Sequence, residues 1–208
     1  MAEAVRYHQV GGPEVLRNEP VEVGRPGPGQ VRLRHLAVGL NYADVYFRNG
    51  TYPVPLPSGI GVEAAGIVEE AAGIVEEAGP GVTGVSAGDR VTCTGFLDTL
   101  GAYCTERLLQ AAPLIRLPDE ISFETAAAMT MRGLTAAYLM RRIHPWQAGD
   151  TLLLHAAAGG LGLMLSQWAR LLGLTVIGTV SGEAKAEAAQ RHGDLESRRT
   201  LGPSIFRI

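Results

Sequence analysis

Apolar residues in the first 125 positions fall in short alternating runs, of which Val31-Arg-Leu-Arg-His-Leu36 is the clearest. A period of two puts every second side chain on one face, the pattern of a half-buried strand. Turn sequences separate the runs: Gly11-Gly-Pro13, Arg25-Pro-Gly-Pro-Gly29, Gly79-Pro-Gly81 and Ala87-Gly-Asp89. Short strands punctuated in this way predict a barrel or a sandwich. One short helix is expected among them, from Asn41 to Asn49, stopped by Gly50.

The pattern changes after Pro118-Asp-Glu-Ile-Ser122. Ser122 is an N-cap for the helix-forming run Thr125-Ala-Ala-Ala-Met129, and a second helix is expected from Gly133 to Arg142. A buried-type strand, Thr151-Leu-Leu-Leu-His155, leads into Ala156-Ala-Ala-Gly-Gly-Leu-Gly162. A helix follows from about Gly160 to Leu172, with Gly173 as its stop, and then a second strand, Thr175–Val180. Strand, glycine turn, helix, strand is a βαβ unit, which requires a parallel sheet. A last helix is expected from Glu183 to Gln190, after which the α/β pattern stops at two strands.

One segment is duplicated: Glu63-Ala-Ala-Gly-Ile-Val-Glu69 recurs at once as Glu70-Ala-Ala-Gly-Ile-Val-Glu76. Two copies, each with a glycine, are too few for a coiled coil. In a continuous strand an odd offset of seven places the copies on opposite faces. Either one copy loops out or a bulge restores the phase.

Composition narrows the function classes. Apolar residues are 46% of 208, enough for a sizeable core, and 18 basic against 21 acidic side chains leave no cationic surplus for nucleic acid. The Met1–His8 segment lacks the apolar stretch of a signal peptide. The longest apolar stretch, Leu152–Leu165, is broken by His155 and glycines and is too short to cross a membrane. A soluble, cytoplasmic protein is the expectation. Two cysteines, Cys93 and Cys104, supply neither a four-thiolate zinc site nor a disulfide framework, and the histidines show no i, i+4 spacing. No G-x-S-x-G elbow supports a hydrolase.

The glycines are the unusual feature, 27 of 208. Ala157-Ala-Gly159-Gly-Leu-Gly162 is a G-x-G-x-x-G variant with alanine first, set between a strand and a helix. There Gly159 lets the backbone approach a diphosphate, Gly162 allows close helix packing, and the helix N-terminus offers amides to the anion. The alternative is a tight turn that binds nothing. About 20 residues on, where an NAD site has an acid, stand Val180-Ser181-Gly182, with Glu183 and Lys185 behind. A hydroxyl and a lysine suit a 2′-phosphate, hence NADPH, although Lys185 also reads as a solvated helix residue. Asn41-Tyr-Ala-Asp-Val-Tyr46, with Tyr52, could line a cleft for a flat substrate or be ordinary capping and surface residues.

Several segments in chain order resemble the zinc-independent, zeta-crystallin-like quinone oxidoreductases of the medium-chain dehydrogenase/reductase superfamily. They are Gly39-Leu-Asn-Tyr-Ala-Asp44, Leu56-Pro-Ser-Gly-Ile-Gly-Val-Glu-Ala-Ala-Gly66, Ala87-Gly-Asp-Arg-Val91, Gly101-Ala-Tyr103, Gly133-Leu-Thr135, His155–Gly162, and Gly178-Thr-Val180 with Lys185. The resemblance implies an α/β plus β fold: a GroES-like β-barrel substrate domain over 1–125, a truncated Rossmann-type parallel α/β domain over 126–194, and a family-like tail over 195–208. It implies NADPH-dependent reduction of quinones, by hydride or electron transfer, without metal, in a cleft between the two domains. Zinc-dependent relatives carry a cysteine at Asn41 and a histidine at Val62. Asn41, Tyr46 and Tyr52 are the implied catalytic residues. Asn41, Tyr52 and Thr135 are expected near the nicotinamide, and Ala158, Gly159, Gly160, Leu161 and Gly162 at the diphosphate. Thr179, Ser181 and Gly182 join the cofactor contacts, and Lys185 and Arg198 reach the 2′-phosphate.

Leu195-Glu-Ser-Arg-Arg-Thr-Leu-Gly202 resembles the family's extreme C-terminus, so an internal block of roughly 100 residues is expected to be missing before it. The family's dimer edge strand lies in that block, which leaves a homodimer open. Two other readings stand beside the quinone reductase. One is a catalytically silent remnant with weak or no NADPH binding, and the other an enoyl or alkenal reductase of the same superfamily.

Overall fold

The computed structural model describes residues 1–71, 82–95, 100–193 and 205–207, in two compact units, Met1–Met131 and Arg132–Ile208. In the first unit, strands β1 (Ala2–Tyr7), β2 (Arg17–Val21), β3 (Gln30–Gly39), β4 (Ser58–Gly59), β5 (Glu63–Ala71), β6 (Arg90–Thr94), β7 (Glu106–Gln110) and β8 (Ile115–Arg116) form two sheets. Their orders are β2-β1-β4 and β7-β3-β5-β6-β8, and every pairing is antiparallel. The segment before β7 joins the sheets: Val5 N–H donates to Tyr103 O at 2.7 Å, and Thr105 N–H to Glu3 O at 2.8 Å. The alternation that predicted strands also sorts the faces. Val31 and Leu33 of β3 have no solvent exposure and pack with Ala64, Val91, Cys93 and Leu109, while Arg32 and Arg34 stay partly exposed.

The duplicated segment meets the sheet through a bulge. Along β3 and β5, Arg32 pairs with Glu70 and Leu33 with Val68, so the register skips Glu69, the last residue of the first copy. One extra residue at the junction shifts the phase by one, as an odd repeat demands. The second copy beyond Ala71 lies outside the described residues.

Helix α1 (Tyr42–Arg48) follows β3, and α2 (Phe123–Tyr138) follows β8. Ser122 Oγ accepts the Thr125 N–H at 3.1 Å, the expected cap. The two helices expected from Ser122 and from Gly133 are one: α2 runs through Gly133 and continues as a π turn over Leu139–Ile143. Glycine inside a helix costs only about 1 kcal/mol, too little to end this one. A Cβ at Gly133 would lie 4.0 Å from Met164 Sδ, an ordinary contact, so the position is not crowded. The end comes at His144, extended at φ −143° because Pro145 follows.

In the second unit β9 (Thr151–Leu154), α3 (Gly160–Leu171) and β10 (Thr175–Thr179) make the expected βαβ arrangement, with β9 parallel to β10 from Thr151↔Thr175 to Leu154↔Gly178. Gly173, at φ +73°, ends α3 in the left-handed conformation that glycine adopts freely. Helix α4 (Glu183–Gly193) follows, and Leu154, Leu165, Ala169, Val176, Ala186 and Ala189 form the core. The expectation of two strands is corrected by a third. β11 (Ile205–Arg207) pairs antiparallel with β10, Ile177 opposite Arg207 and Thr179 opposite Ile205. Three residues show no periodicity of their own; the unpaired edge of β10 gives them hydrogen-bond partners.

Candidate functional site

In the first unit, α1 starts at Asn41, whose extended backbone lets its N–H donate to Asp44 Oδ2 at 2.9 Å. The Asn41 side chain also reaches beyond its own helix. Its Nδ2 donates to Glu63 Oε2 at 2.8 Å, and Glu63 has no solvent exposure. Asp44, also buried, takes a second donor, the Tyr103 hydroxyl at 2.7 Å. Burial raises the Asp44 pKa against both hydrogen bonds, and burial with the adjacent carboxylate raises that of Tyr103. Tyr42, Tyr46, Tyr52 and Phe47 continue the cluster edge to face, with ring centroids 5.1 Å (Tyr42–Tyr46), 5.2 Å (Tyr46–Tyr52) and 5.5 Å (Phe47–Tyr52) apart. Asn41, Tyr46 and Tyr52 therefore lie together, on one short helix and the loop after it. Asp44 belongs to the Asn41–Tyr46 group that the sequence marks as a possible cleft lining, whereas Glu63 is given no site role by the sequence. A lone glutamate among small apolar residues, Val62-Glu-Ala-Ala65, was the signal for Glu63.

Val62 is a fully buried core residue. Of the two cysteines, both remote from histidine in sequence, Cys104 meets one in space. Cys104 Sγ lies 3.7 Å from His35 Nδ1, and Arg107 Nη2 donates to Cys93 Sγ at 3.6 Å. Burial, then the Arg107 charge, lowers the His35 pKa to about 4, although its Nδ1 hydrogen bond to Ala102 O at 2.9 Å opposes the shift. Burial pushes the Cys104 thiol up to about 11. At neutral pH this is a neutral imidazole beside a protonated thiol, neither a nucleophile nor a thiolate ligand. Among the described residues no three His, Cys, Asp or Glu side chains are grouped to hold a metal.

In the second unit the loop after β9 carries the glycine motif. Ala156 takes φ +52°, the left-handed region unusual for alanine; Gly159 N–H donates back to Ala156 O at 2.8 Å. Ala157 N–H donates to Thr179 O at 3.0 Å and ties the loop to the end of β10. A Cβ at Gly162 would sit 2.4 Å from Ala156 O and 2.7 Å from Ala157 Cα, so α3 can start this close to the loop only with glycine there. The first-turn amides of Gly160, Leu161 and Gly162 precede the first helical hydrogen bond, Leu163 N–H to Gly159 O at 2.8 Å.

Beside this loop lies a cavity of about 450 Å³ lined by Ala156, Ala158, Gly159, Thr179, Val180, Ser181 and Lys185. It brings five of the sequence-predicted cofactor residues together: Ala158, Gly159, Thr179, Ser181 and Lys185. Gly160, Leu161 and Gly162 open α3 without lining the cavity, and Gly182 begins the turn into α4, accepting the Ala186 N–H at 3.1 Å. Thr135 is half-buried on α2, and Arg198 lies outside the described residues. His155, unassigned from sequence, sits 3.0 Å (Nδ1) from Thr179 Oγ1. The donor set fits a phosphorylated dinucleotide: helix-start amides beside the cavity, a hydroxyl and an ammonium, with no carboxylate among the described lining residues.

The chain is 46% identical over 199 residues to a quinone oxidoreductase of Pseudomonas aeruginosa, covering 95% of this chain and 58% of that one. It is 47% identical over 201 residues to a 2-haloacrylate reductase of Burkholderia sp, covering 93% and 57%. The structure of the Escherichia coli quinone oxidoreductase complexed with NADPH superposes with a TM-score of 0.84 at 41% identity, over 92% of this chain and 56% of that one. The chain thus spans a little over half the length of the relatives it matches. Residues 27–140 match the alcohol dehydrogenase GroES-like domain, and the chain belongs to that family, as a homologue of the quinone oxidoreductases.

Proposed function

We propose that the chain binds NADPH at the loop and cavity of its second unit and serves the reduction of quinones. The observation that carries this reading is the cavity itself, where Ala158 and Gly159 of the glycine loop face Thr179, Ser181 and Lys185 across one space. The first-turn amides of α3 suit a diphosphate, and Lys185 with the Ser181 hydroxyl suits the 2′-phosphate that separates NADPH from NADH. The NADPH bound to the Escherichia coli relative agrees with this choice.

When bound, the nicotinamide supplies a hydride to the acceptor. The chain's own part is orientation and exclusion of water. Glu63 fixes the direction of the Asn41 amide, which leaves Asn41 a polar contact for an acceptor oxygen. Tyr46 and Tyr52 give a flat ring aromatic surfaces to pack on. No residue here is assigned as general acid; a reduced quinone takes its remaining proton from solvent. A second reading, reduction of an activated carbon–carbon double bond, is favoured by the likeness to a 2-haloacrylate reductase.

The test is NADPH oxidation followed with an ortho-quinone and, separately, with a 2-haloacrylate, beside NADPH titration by fluorescence. Quinone turnover supports the proposal, and haloacrylate turnover without quinone turnover supports the second reading. Binding without turnover of either marks a silent cofactor-binding remnant and contradicts both.

A further inference from the structure

We infer that Tyr103 is a positioning residue for the reduction site, its hydroxyl fixing Asn41 through the Asp44 carboxylate; this rests on the reading that Asn41 meets the acceptor. The residues given that role sit on α1, a helix of seven residues, and on the loop after it. A helix so short does not hold its shape in water by itself, so its place comes from contacts outside it. At the first turn one oxygen, Asp44 Oδ2, accepts both the Asn41 N–H at 2.9 Å and the Tyr103 hydroxyl at 2.7 Å. Tyr103 thus reaches the Asn41 main chain through a single atom, while Glu63 holds the Asn41 side chain.

Tyr103 serves as the fixed end because the strands around it grip its backbone and ring. Its N–H donates to Ile60 O at 2.9 Å, and its carbonyl accepts the Val5 N–H at 2.7 Å. The ring lies against bare Gly61, where a Cβ would meet Tyr103 Cε1 at 2.7 Å. The Gly101-Ala-Tyr103 segment, part of the family resemblance but without a site role there, gains one here. Asp44 depends on that hydroxyl. Its other oxygen, Oδ1, is buried with no partner among the described residues. Burial already raises the Asp44 pKa against the hydrogen bonds from Asn41 and Tyr103. Without the Tyr103 hydroxyl the carboxylate side chain keeps the Asn41 N–H alone. A buried group so poorly satisfied draws the first turn towards water, and Asn41 moves with it.

Tyr103→Phe keeps the ring on Gly61 and removes only the hydroxyl. With an ortho-quinone as acceptor, kcat is expected to fall about tenfold. The NADPH dissociation constant, set by the loop and Lys185 of the second unit, is expected to change by about twofold or less. Asp44→Asn takes away the buried charge; in that background, adding Tyr103→Phe is expected to lower kcat by about twofold or less. Amide hydrogen exchange gives a readout apart from turnover. In Tyr103→Phe the Asn41 amide is expected to exchange about tenfold faster. The His35 amide, which donates to Thr105 O close by on the same segment as Tyr103, is expected to keep its parent rate. An unchanged kcat in Tyr103→Phe overturns the inference. So does a tenfold loss in the Asp44→Asn background, since the hydroxyl would not then act through Asp44. Faster exchange at both amides also overturns it, because the substitution would then act through the fold. If the parent turns over no acceptor, the reading behind Asn41 fails first and takes the inference with it.

Discussion

Asn41 and Glu63 are joined by a 2.8 Å hydrogen bond, Nδ2 to Oε2, that ties the start of α1 to a carboxylate with no solvent exposure. The other oxygen of that carboxylate accepts the Met131 N–H at 2.6 Å, so β5, α1 and α2 meet on one side chain. A buried carboxylate is tolerated only when its oxygens are hydrogen-bonded. Glu63→Ala removes the acceptor from both donors, and a loss of about 2–5 kcal/mol in urea unfolding is expected. Glu63→Gln keeps one carbonyl oxygen and is expected to lose less. No loss in Glu63→Ala would contradict this role.

Gly162→Ala tests how closely α3 must approach the loop. The added methyl would meet backbone, Ala156 O at 2.4 Å and Ala157 Cα at 2.7 Å, and backbone cannot rotate aside. Destabilisation of about 1–3 kcal/mol is expected, with weakened NADPH binding because the loop that lines the cavity must move. The matching change at Gly159 meets only Ala156 O at 3.1 Å and is expected to cost less stability. Thermal melting of both variants gives the comparison, and equal melting temperatures would contradict it.

His35 makes stability depend on pH in a stated direction. Folded, it titrates near 4; unfolded, near its ordinary 6.5. Between these values the unfolded chain holds the extra proton, so the contribution is complete above about pH 6.5 and is lost as pH falls towards and through 4. The most this can amount to is about 3 kcal/mol. His35→Gln removes it, and the stability difference between parent and variant is expected to shrink as pH is lowered from 7 to 4. A difference that does not change with pH would contradict the buried, neutral histidine.

Local patterns carried most of the fold. Alternation marked β3, the Ser122 cap marked α2, and the strand–glycine–helix order marked β9, α3 and β10, because each is set by residues close together in the chain. What the sequence concealed depends on partners far along it. Gly133 reads as a helix boundary although α2 runs through it, and Ile205–Arg207 reads as tail until β10 supplies an edge. The candidate site follows the same division. Ala158, Gly159 and Lys185 were legible from motif and spacing. Glu63 and the left-handed Ala156 were not, since only their neighbours in space give them meaning.

The account stands on selective binding of a phosphorylated dinucleotide by the loop and Lys185. Fluorescence titration of the purified chain with NADPH and NADH, repeated with Lys185→Gln, tests it most directly. The account predicts tighter binding of NADPH by the parent chain, roughly tenfold or more, and loss of that preference in the variant with NADH affinity unchanged. Equal affinity of the parent for the two coenzymes, or no binding of either, would contradict it.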